Sequence, residues 1–342
     1  MTFTVEPLEI GCEWTRESLG DRYVFELTDE HRTELDAALV HAESLTDDVL
    51  DIEKHHFPLP TLGPELDRIK HDLIDGVGVA LIRGVDVDRY GKERASTIYW
   101  GIGTHLGMPW PQNAKGHLLG DVTDQGKAVD DPTSRGNEIG GVPFPFHSDG
   151  SDLVGLFCLD AGASGGESLV ANVVSIHNEL ARREPELAAA LYEPMPYDFR
   201  GEQAPGGKGW YSMPVANRHD DRLFVRYIRP YILASRRHAD APRPSAAAEA
   251  AMDRVDAMCA DPSYHVSMAL RPGDMQFVNN YHVLHARKGY TDDRPAGKVR
   301  HLKRLWLETD LLGDEQKPEA FRLGRTDSHW ASKGRTKSEI VV

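Results

Sequence analysis

The sequence predicts a mainly β fold with flanking helices, an antiparallel sandwich or barrel and not a doubly wound parallel sheet. Three observations carry this. Short β-rich runs recur at LVGLFCL (153–159), GESLVANVV (166–174), RLFVRYIRPYI (222–232), MQFVNNYHVLH (275–285) and VRHLKRLWLE (299–308), divided by Gly- and Pro-rich turns. Few helical stretches lie between them to serve as crossovers. A stretch rich in Gly, Pro, Asn and Asp, residues 110–146, shows little periodicity. Loops of that length in compact domains are functional or disordered.

The elements follow in order. Residues 28–44 place Leu35, Ala38, Leu39 and Ala42 at helical spacing, with Thr28 or Asp29 as N-cap. A second helix is expected across Gly63–Asp75, with Leu66, Ile69, Leu73 and Ile74 on its apolar face. GVGVALIRGV (76–85) reads as a short buried strand, and 92–106 as a helix ending at Gly107. Residues 110–146 are expected as one long loop. Further helices are expected at about 175–192 and 244–260.

The 342 residues fit one large β domain with embellishments as well as two domains. Asp plus Glu outnumber Lys plus Arg by 54 to 39, a net charge of −15. That balance argues against nucleic-acid or anionic-membrane partners, because phosphate repels an acidic surface; a small-molecule substrate is expected instead. Cys12, Cys158 and Cys259 are far apart and form no CxxC pair, which fits a reducing cytoplasm. The opening residues MTFTVEPLEIGCEW lack the pattern of a signal peptide, and no apolar run approaches 18 residues. Oligomeric state is not legible.

The chain has 16 histidines, so a metal motif must stand out from chance. H-x-D occurs at His147/Asp149, His219/Asp221 and His238/Asp240, and H-x-E at His41/Glu43 and His177/Glu179. On a helix, i and i+2 do not face one another, which sets aside His41 and His177. His219 and His238 lie in charged or polar turns, NRHDDR and SRRHADAPRP. His147 differs, because GVPFPFHSDGSDLVGLFCL runs from an aromatic entry through H-S-D-G directly into an apolar strand. In extended backbone i and i+2 point the same way, so His147 and Asp149 can converge on one metal. An imidazole and a carboxylate supply two-thirds of the facial triad that leaves Fe(II) open to other ligands.

A third ligand should come from a distant strand. In 275–285, alternation puts Phe277, Asn279, Tyr281, Val283 and His285 on one face, and Val278, Asn280, His282 and Leu284 on the other. Only one of the two histidines is then expected to face the interior, and alternation leaves His282 and His285 both open. In the last strand, Arg300, Leu302, Arg304 and Trp306 share a face. Two arginines beside Leu and Trp mean either internal ion pairs or a pocket that captures a carboxylate through the guanidinium fork.

Together HSD (147–149), SGGES (164–168), NNYHVLHAR (279–287) and RHLKR (300–304), in that order, resemble the taurine dioxygenase-like group of Fe(II)/2-oxoglutarate-dependent oxygenases, which includes clavaminate synthase-like amino-acid hydroxylases. The resemblance implies a double-stranded β-helix core (jelly roll, cupin-like) with flanking helices. It implies that His147, Asp149 and His285 bind Fe(II), selecting His285 over His282. It implies that Arg300 and Ser168 hold the distal carboxylate of 2-oxoglutarate, with Ser in place of the family Thr, and that Arg304 faces the primary substrate. Arg304 remains the other candidate for the clamp, because the gap from His285 is long.

The implied reaction is hydroxylation of an unactivated C–H of an amino-acid-like or natural-product molecule, using O2 and converting 2-oxoglutarate to succinate and CO2. The same centre supports desaturation, epoxidation or cyclisation as an alternative. An alternative of another class is a non-catalytic or redox-inert metal-binding cupin. Loop residues offered as substrate contacts are Asn113 and Lys115 in PQNAKG, Trp210 and Tyr211 in RGEQAPGGKGWY, and Arg226 and Arg229 in RYIRPY. The resulting domain plan is one oxygenase domain over 1–342. It has a helical and extended embellishment at 1–75, a core at 76–310 with the 110–146 loop as lid, and a tail at 311–342.

Overall fold

The computed structural model describes residues 5–131 and 133–322 and the backbone of 336–337; Pro132 of the expected lid and most of the expected tail beyond 322 lie outside the described residues. Its principal strands, in chain order, are β1 (Val24–Glu26), β2 (Val79–Arg83), β3 (Met108–Trp110), β4 (His117–Val122), β5 (Phe144–His147), β6 (Leu153–Asp160), β7 (Ser168–Asn172), β8 (His265–Met268), β9 (Met275–Asn279), β10 (Val283–Arg287), β11 (His301–Glu308) and β12 (Thr336–Lys337). The larger sheet runs β1-β2-β9-β6-β11-β4-β12, with β3 also on β11, and the smaller runs β8-β7-β10-β5. From β4 to β11 the chain passes back and forth between the two sheets. This is the jelly-roll topology expected from the sequence.

Strand β6 sits at the centre because its LVGLFCLD sequence is apolar on both faces, and it pairs antiparallel with both β9 and β11. Helices cover the outside of the larger sheet. The Val87–Leu106 helix lays Tyr99 against Phe157 with ring centroids 5.1 Å apart. That helix starts five residues before the sequence reading and is kinked at Gly91 (φ 71°), so its periodicity is regular only after the kink. The Asp29–Leu45 helix is capped by Thr28, whose hydroxyl accepts from His31 N–H, and Leu62–Asp75 matches the second expected helix. The segment β1 pairs parallel with β2, which ties the N-terminal region to the sheet edge.

Four expectations are corrected. Residues 110–146 are not one loop: HLLGDV forms β4, pairing Leu119 with Leu305 and Val122 with Leu302, and the irregular parts shrink to 111–116 and 123–143. The run 166–174 stops at Asn172, whose side chain caps the Val173–Arg183 helix by accepting from Ser175 N–H at 2.7 Å, so a cap overrides two β-branched valines. Of 222–232, only Arg222–Val225 is a strand; Arg229–Ala234 is a short helix with proline in its first turn, where proline's missing N–H costs nothing. The run 275–285 breaks at 280–282 into β9 and β10, which lie in different sheets. Alternation therefore does not carry across it, and both His282 and His285 are buried. Among the described residues no helix is long and apolar enough to cross a membrane.

Candidate active site

The pairing of β10 with β5 places His285 directly opposite His147. Their rings lie 4.1 Å apart between centroids, inclined by 51°. Beyond β5 the chain is pinned at each step. Ser148 N–H donates to Tyr227 O at 2.8 Å, Tyr227 N–H donates to Ser148 Oγ at 3.0 Å, and Asp149 N–H donates to Asn280 Oδ1 at 2.9 Å. The turn that splits 275–285 thus supplies Asn280 to hold Asp149 and sends His285 to the same place.

His147, Asp149 and His285 each present a ligand atom, all within 4.8 Å of one another. Asp149 Oδ1 lies 4.0 Å from His147 Nε2, and Oδ2 lies 3.9 Å from His285 Nε2. His147 Nδ1 is 2.9 Å from Pro145 O, which accepts its proton and leaves Nε2 free for a metal. Burial, with smaller repulsion from His147 and Arg304, pushes the His285 imidazole down to about 3. Burial also lowers His147. Burial works against ionised Asp149, but Arg304, His285, His147 and the Trp306 indole outweigh it and hold the carboxyl well below the usual range. Two neutral imidazoles and a carboxylate, converging from two strands, fit a divalent iron with open positions.

A second group of residues occupies the end of the pocket beyond the smaller sheet. Arg300 is buried, and its guanidinium lies over the Tyr290 ring at 5.1 Å. Its Nη2 donates to Gly166 O at 3.3 Å, while Nη1 is buried with no partner. A Cβ on Gly166 (φ 77°) would sit 2.7 Å from Arg300 Nε, so glycine is required there both for the turn and for the guanidinium. Burial, helped by neighbouring Arg287, lowers Arg300 to about 10. Ser168 is buried two residues beyond this turn and lines the same pocket. An orphaned guanidinium nitrogen beside a buried hydroxyl fits the distal carboxylate of a dicarboxylate.

Arg304 lies elsewhere. Its Nη1 is 3.5 Å from Asp149 Oδ2 and its Nε donates to Gln112 Oε1 at 2.8 Å. Trp306 Nε1 donates to the same Asp149 oxygen at 3.1 Å. Arg300, Leu302, Arg304 and Trp306 all line the pocket, as their alternation predicts.

Of the loop candidates, Tyr211 and Arg226 line the pocket, whereas Asn113, Lys115, Trp210 and Arg229 fall outside it. Asn113 Oδ1 accepts from Lys115 and His117 N–H within its own turn, and Asn113 lines a neighbouring polar cleft. Trp210 stacks under Lys208 at 4.9 Å, while Tyr211, the next residue on that strand, faces the pocket. Arg229 is bound by Asp253 at 2.5 Å and Asp256 at 2.6 Å on the Ala246–Ala260 helix. The arginine of RYIRPY that reaches the pocket is Arg226. Arg287, which lines the pocket, and Tyr290 are not singled out by the sequence reading. Arg287 lies over the same Tyr290 ring at 4.9 Å and donates to Ile139 and Val142 carbonyls in the irregular segment. The sequence signal was HARKGY, directly after the third ligand candidate.

The other histidines have separate partners. His177 is buried and hydrogen-bonded to Tyr192 at 2.8 Å, His219 meets Glu315 O, and His238 pairs with the buried Asp198 at 2.9 Å. His282 faces Arg222 and the Leu223 backbone, and burial pushes it down to about 4. His282→Gln is therefore expected to leave Fe(II) affinity within about threefold of wild type, against losses of about ten- to a hundredfold for residues that support metal ligands directly. Metal titration by calorimetry checks this.

Residues 41–306 match the taurine catabolism dioxygenase TauD, TfdA family. The chain is 31% identical over 313 residues to FR-33289 synthase of Streptomyces rubellomurinus, covering 89% of this chain and 91% of that one. It is 26% identical to the taurine hydroxylase-like protein SAT17 of Stachybotrys chartarum, over 89% of this chain and 79% of the other. Among solved structures, asparagine oxygenase in complex with Fe(II), 2S,3S-3-hydroxyasparagine and succinate superposes with a TM-score of 0.66 at 19% identity, covering 85% and 95% of the two chains. The non-heme iron oxygenase OrfP with Fe, succinate and (3S)-hydroxy-L-Arg gives 0.63 at 18% identity, covering 84% and 95%.

Proposed function

The chain belongs to the taurine catabolism dioxygenase TauD, TfdA family, and from that premise we propose that it is an Fe(II)- and 2-oxoglutarate-dependent dioxygenase that hydroxylates a C–H bond of a small amino-acid-like or natural-product molecule. The observation that carries this is the convergence of His147, Asp149 and His285 in the same pocket as the orphaned guanidinium of Arg300. When bound, Fe(II), 2-oxoglutarate and O2 supply the oxidising chemistry, with succinate and CO2 as co-products.

This chain's residues bind and orient. His147, Asp149 and His285 hold the metal from one side. Arg300 and Ser168 take the distal carboxylate of 2-oxoglutarate, an assignment supported by the unpaired Nη1 and by Tyr290 beneath the guanidinium. Arg304 and Trp306 act on Asp149, keeping it ionised and fixing its rotation. Leu156, Leu302 and Trp306 exclude water between the two ends. The hydroxylated amino acids in the asparagine oxygenase and OrfP complexes support a substrate of that size.

We read the chain as one oxygenase domain, with 1–75 packed on its edge through β1, 76–310 as the core and 311–342 as a tail. Three buried, unpaired cysteines support a reducing, cytoplasmic setting.

Arg300→Gln tests the clamp. Loss of a buried charge pair costs about 2–5 kcal/mol, so 2-oxoglutarate affinity is expected to fall by about a hundredfold. The readout is the KM for 2-oxoglutarate from succinate release, together with direct binding. An unchanged KM would move the clamp away from Arg300. Screening amino acids and related metabolites for stimulated succinate release, with product mass, separates hydroxylation from desaturation.

A further inference from the structure

Gln112, in the turn PQNAKG (111–116), bonds directly to Arg304 and is 1% exposed. All of its polar groups are engaged. Its side-chain amide donates to Leu118 O and to Arg304 O, both at 2.8 Å, and its Oε1 accepts from Arg304 Nε at 2.8 Å. Its N–H donates to His117 O at 2.9 Å, and Arg135 Nη1 donates to its carbonyl at 2.6 Å. Arg135 is itself paired with Glu202. One fixed side chain thus holds Arg304 at both its backbone and its guanidinium. Gly120 stands opposite Arg304 across β4 and β11, and a Cβ there would lie 2.7 Å from Gln112 Oε1. Any larger residue at 120 would push the amide off Arg304.

Arg304 needs such a hold. Its side chain stands where two cavities meet, lining both the metal pocket and the neighbouring polar cleft. Asp149 lies in the first, and Glu138 and Glu202 line the second, so carboxylates compete for it from two sides. Its contact with Asp149, Nη1 to Oδ2 at 3.5 Å, is longer than a normal N–H···O hydrogen bond. Charge attraction at that separation is not directional and does not by itself order a long side chain. The Gln112 bond at 2.8 Å does, because fixing Nε fixes the plane of the whole guanidinium. What Gln112 fixes is passed on to Asp149, where Arg304 Nη1 and Trp306 Nε1 meet the same oxygen.

We propose that Gln112 is a positioning residue for the metal centre, which keeps the Arg304 guanidinium on Asp149 and out of the polar cleft. Gln112 is not among the residues lining the metal pocket and acts only through Arg304. The inference rests on the dioxygenase reading, which makes Asp149 a metal ligand.

Two measurements on the full chain test this. The first needs no metal. The Arg304 Nε–H signal in nitrogen-edited NMR, assigned by its loss in Arg304→Lys, is expected to exchange with water about tenfold faster in Gln112→Met, which keeps the volume and removes the amide. The second is Mn(II) titration by calorimetry. Gln112→Met and Arg304→Met are each expected to weaken binding by about tenfold or more. The double variant is expected to bind no more weakly than Arg304→Met alone, because Gln112 then has nothing to hold. Arg304→Lys keeps the charge without the rigid fork, and is expected to bind Mn(II) no better than Arg304→Met; this comparison stands even if Gln112→Met folds poorly. Additive losses in the double variant mark a merely structural role and overturn the proposal. Unchanged exchange in Gln112→Met overturns it too, as does wild-type Mn(II) affinity in Gln112→Met or Arg304→Lys. A wild-type chain that fails to bind Mn(II) counts against the dioxygenase reading instead, and the exchange measurement then decides the hold on Arg304 by itself.

Discussion

His285→Ala is expected to reduce Fe(II) affinity by more than about a hundredfold and to bring succinate formation to background. Supporting residues around metal sites cost about ten- to a hundredfold when lost, and a direct ligand costs more. The same result is expected for His147→Ala, whose imidazole lies opposite His285 across paired strands. Asp149→Ala has a further consequence. Arg304 Nη1 and Trp306 Nε1 both face Oδ2 of Asp149, at 3.5 and 3.1 Å, and would lose that partner together. Asp149→Asn keeps the shape while removing the charge, so it separates metal binding from packing. Iron content after anaerobic loading, measured with succinate release, checks all three variants. Wild-type iron content in His285→Ala would exclude that residue as a ligand.

The second large effect lies behind the site. Lys317 and Asp152 form an ion pair at 2.8 Å with both side chains fully buried. Asp152 also accepts from Tyr281 Oη at 2.6 Å and Thr309 N–H at 3.0 Å. Burial still pushes its carboxyl up, against the pull of Lys317. Removing one partner of such a pair leaves the other buried without compensation, at about 3–5 kcal/mol. Lys317→Met is therefore expected to lower stability by about 3 kcal/mol in denaturant titration. The loss should reach the metal centre, because Asp152 O accepts from Asn280 N–H and Asn280 Oδ1 holds Asp149 N–H. The double variant Lys317→Met with Asp152→Leu removes both charges and should recover much of the lost stability. A single variant as stable as wild type would contradict this reading.

Much of this architecture is legible in the sequence. H-S-D leading into an apolar strand sets His147 and Asp149 apart from the other H-x-D pairs, and the folded chain brings both beside His285. Alternation places Leu302, Arg304 and Trp306 on the pocket side of β11; Arg300 stands just before the strand, beyond a register shift at His301/Leu302, and lines the same pocket. The third ligand was less accessible. Periodicity was counted through 275–285 as one strand, whereas the turn at 280–282 sends its halves into different sheets. Only the family motif distinguished His285 from His282. The β4 strand was hidden because HLLGDV has no alternation of its own and is held by β11. RYIRPY offers Arg226 and Arg229 alike; a helix begins at Arg229, which pairs with Asp253 and Asp256, and Arg226 is the one that lines the pocket. The contact of Tyr290 with both Arg287 and Arg300 depends on residues that meet only after folding.

The most direct test of the central claim is an anaerobic Fe(II) titration with 2-oxoglutarate, followed by the visible charge-transfer absorption of the chelate. The wild-type chain is expected to develop the band, His285→Ala to lack it, and Arg300→Gln to require far more 2-oxoglutarate to reach it. A wild-type chain that carries iron yet gives no band would contradict the 2-oxoglutarate assignment and point to a metal-binding cupin with other chemistry.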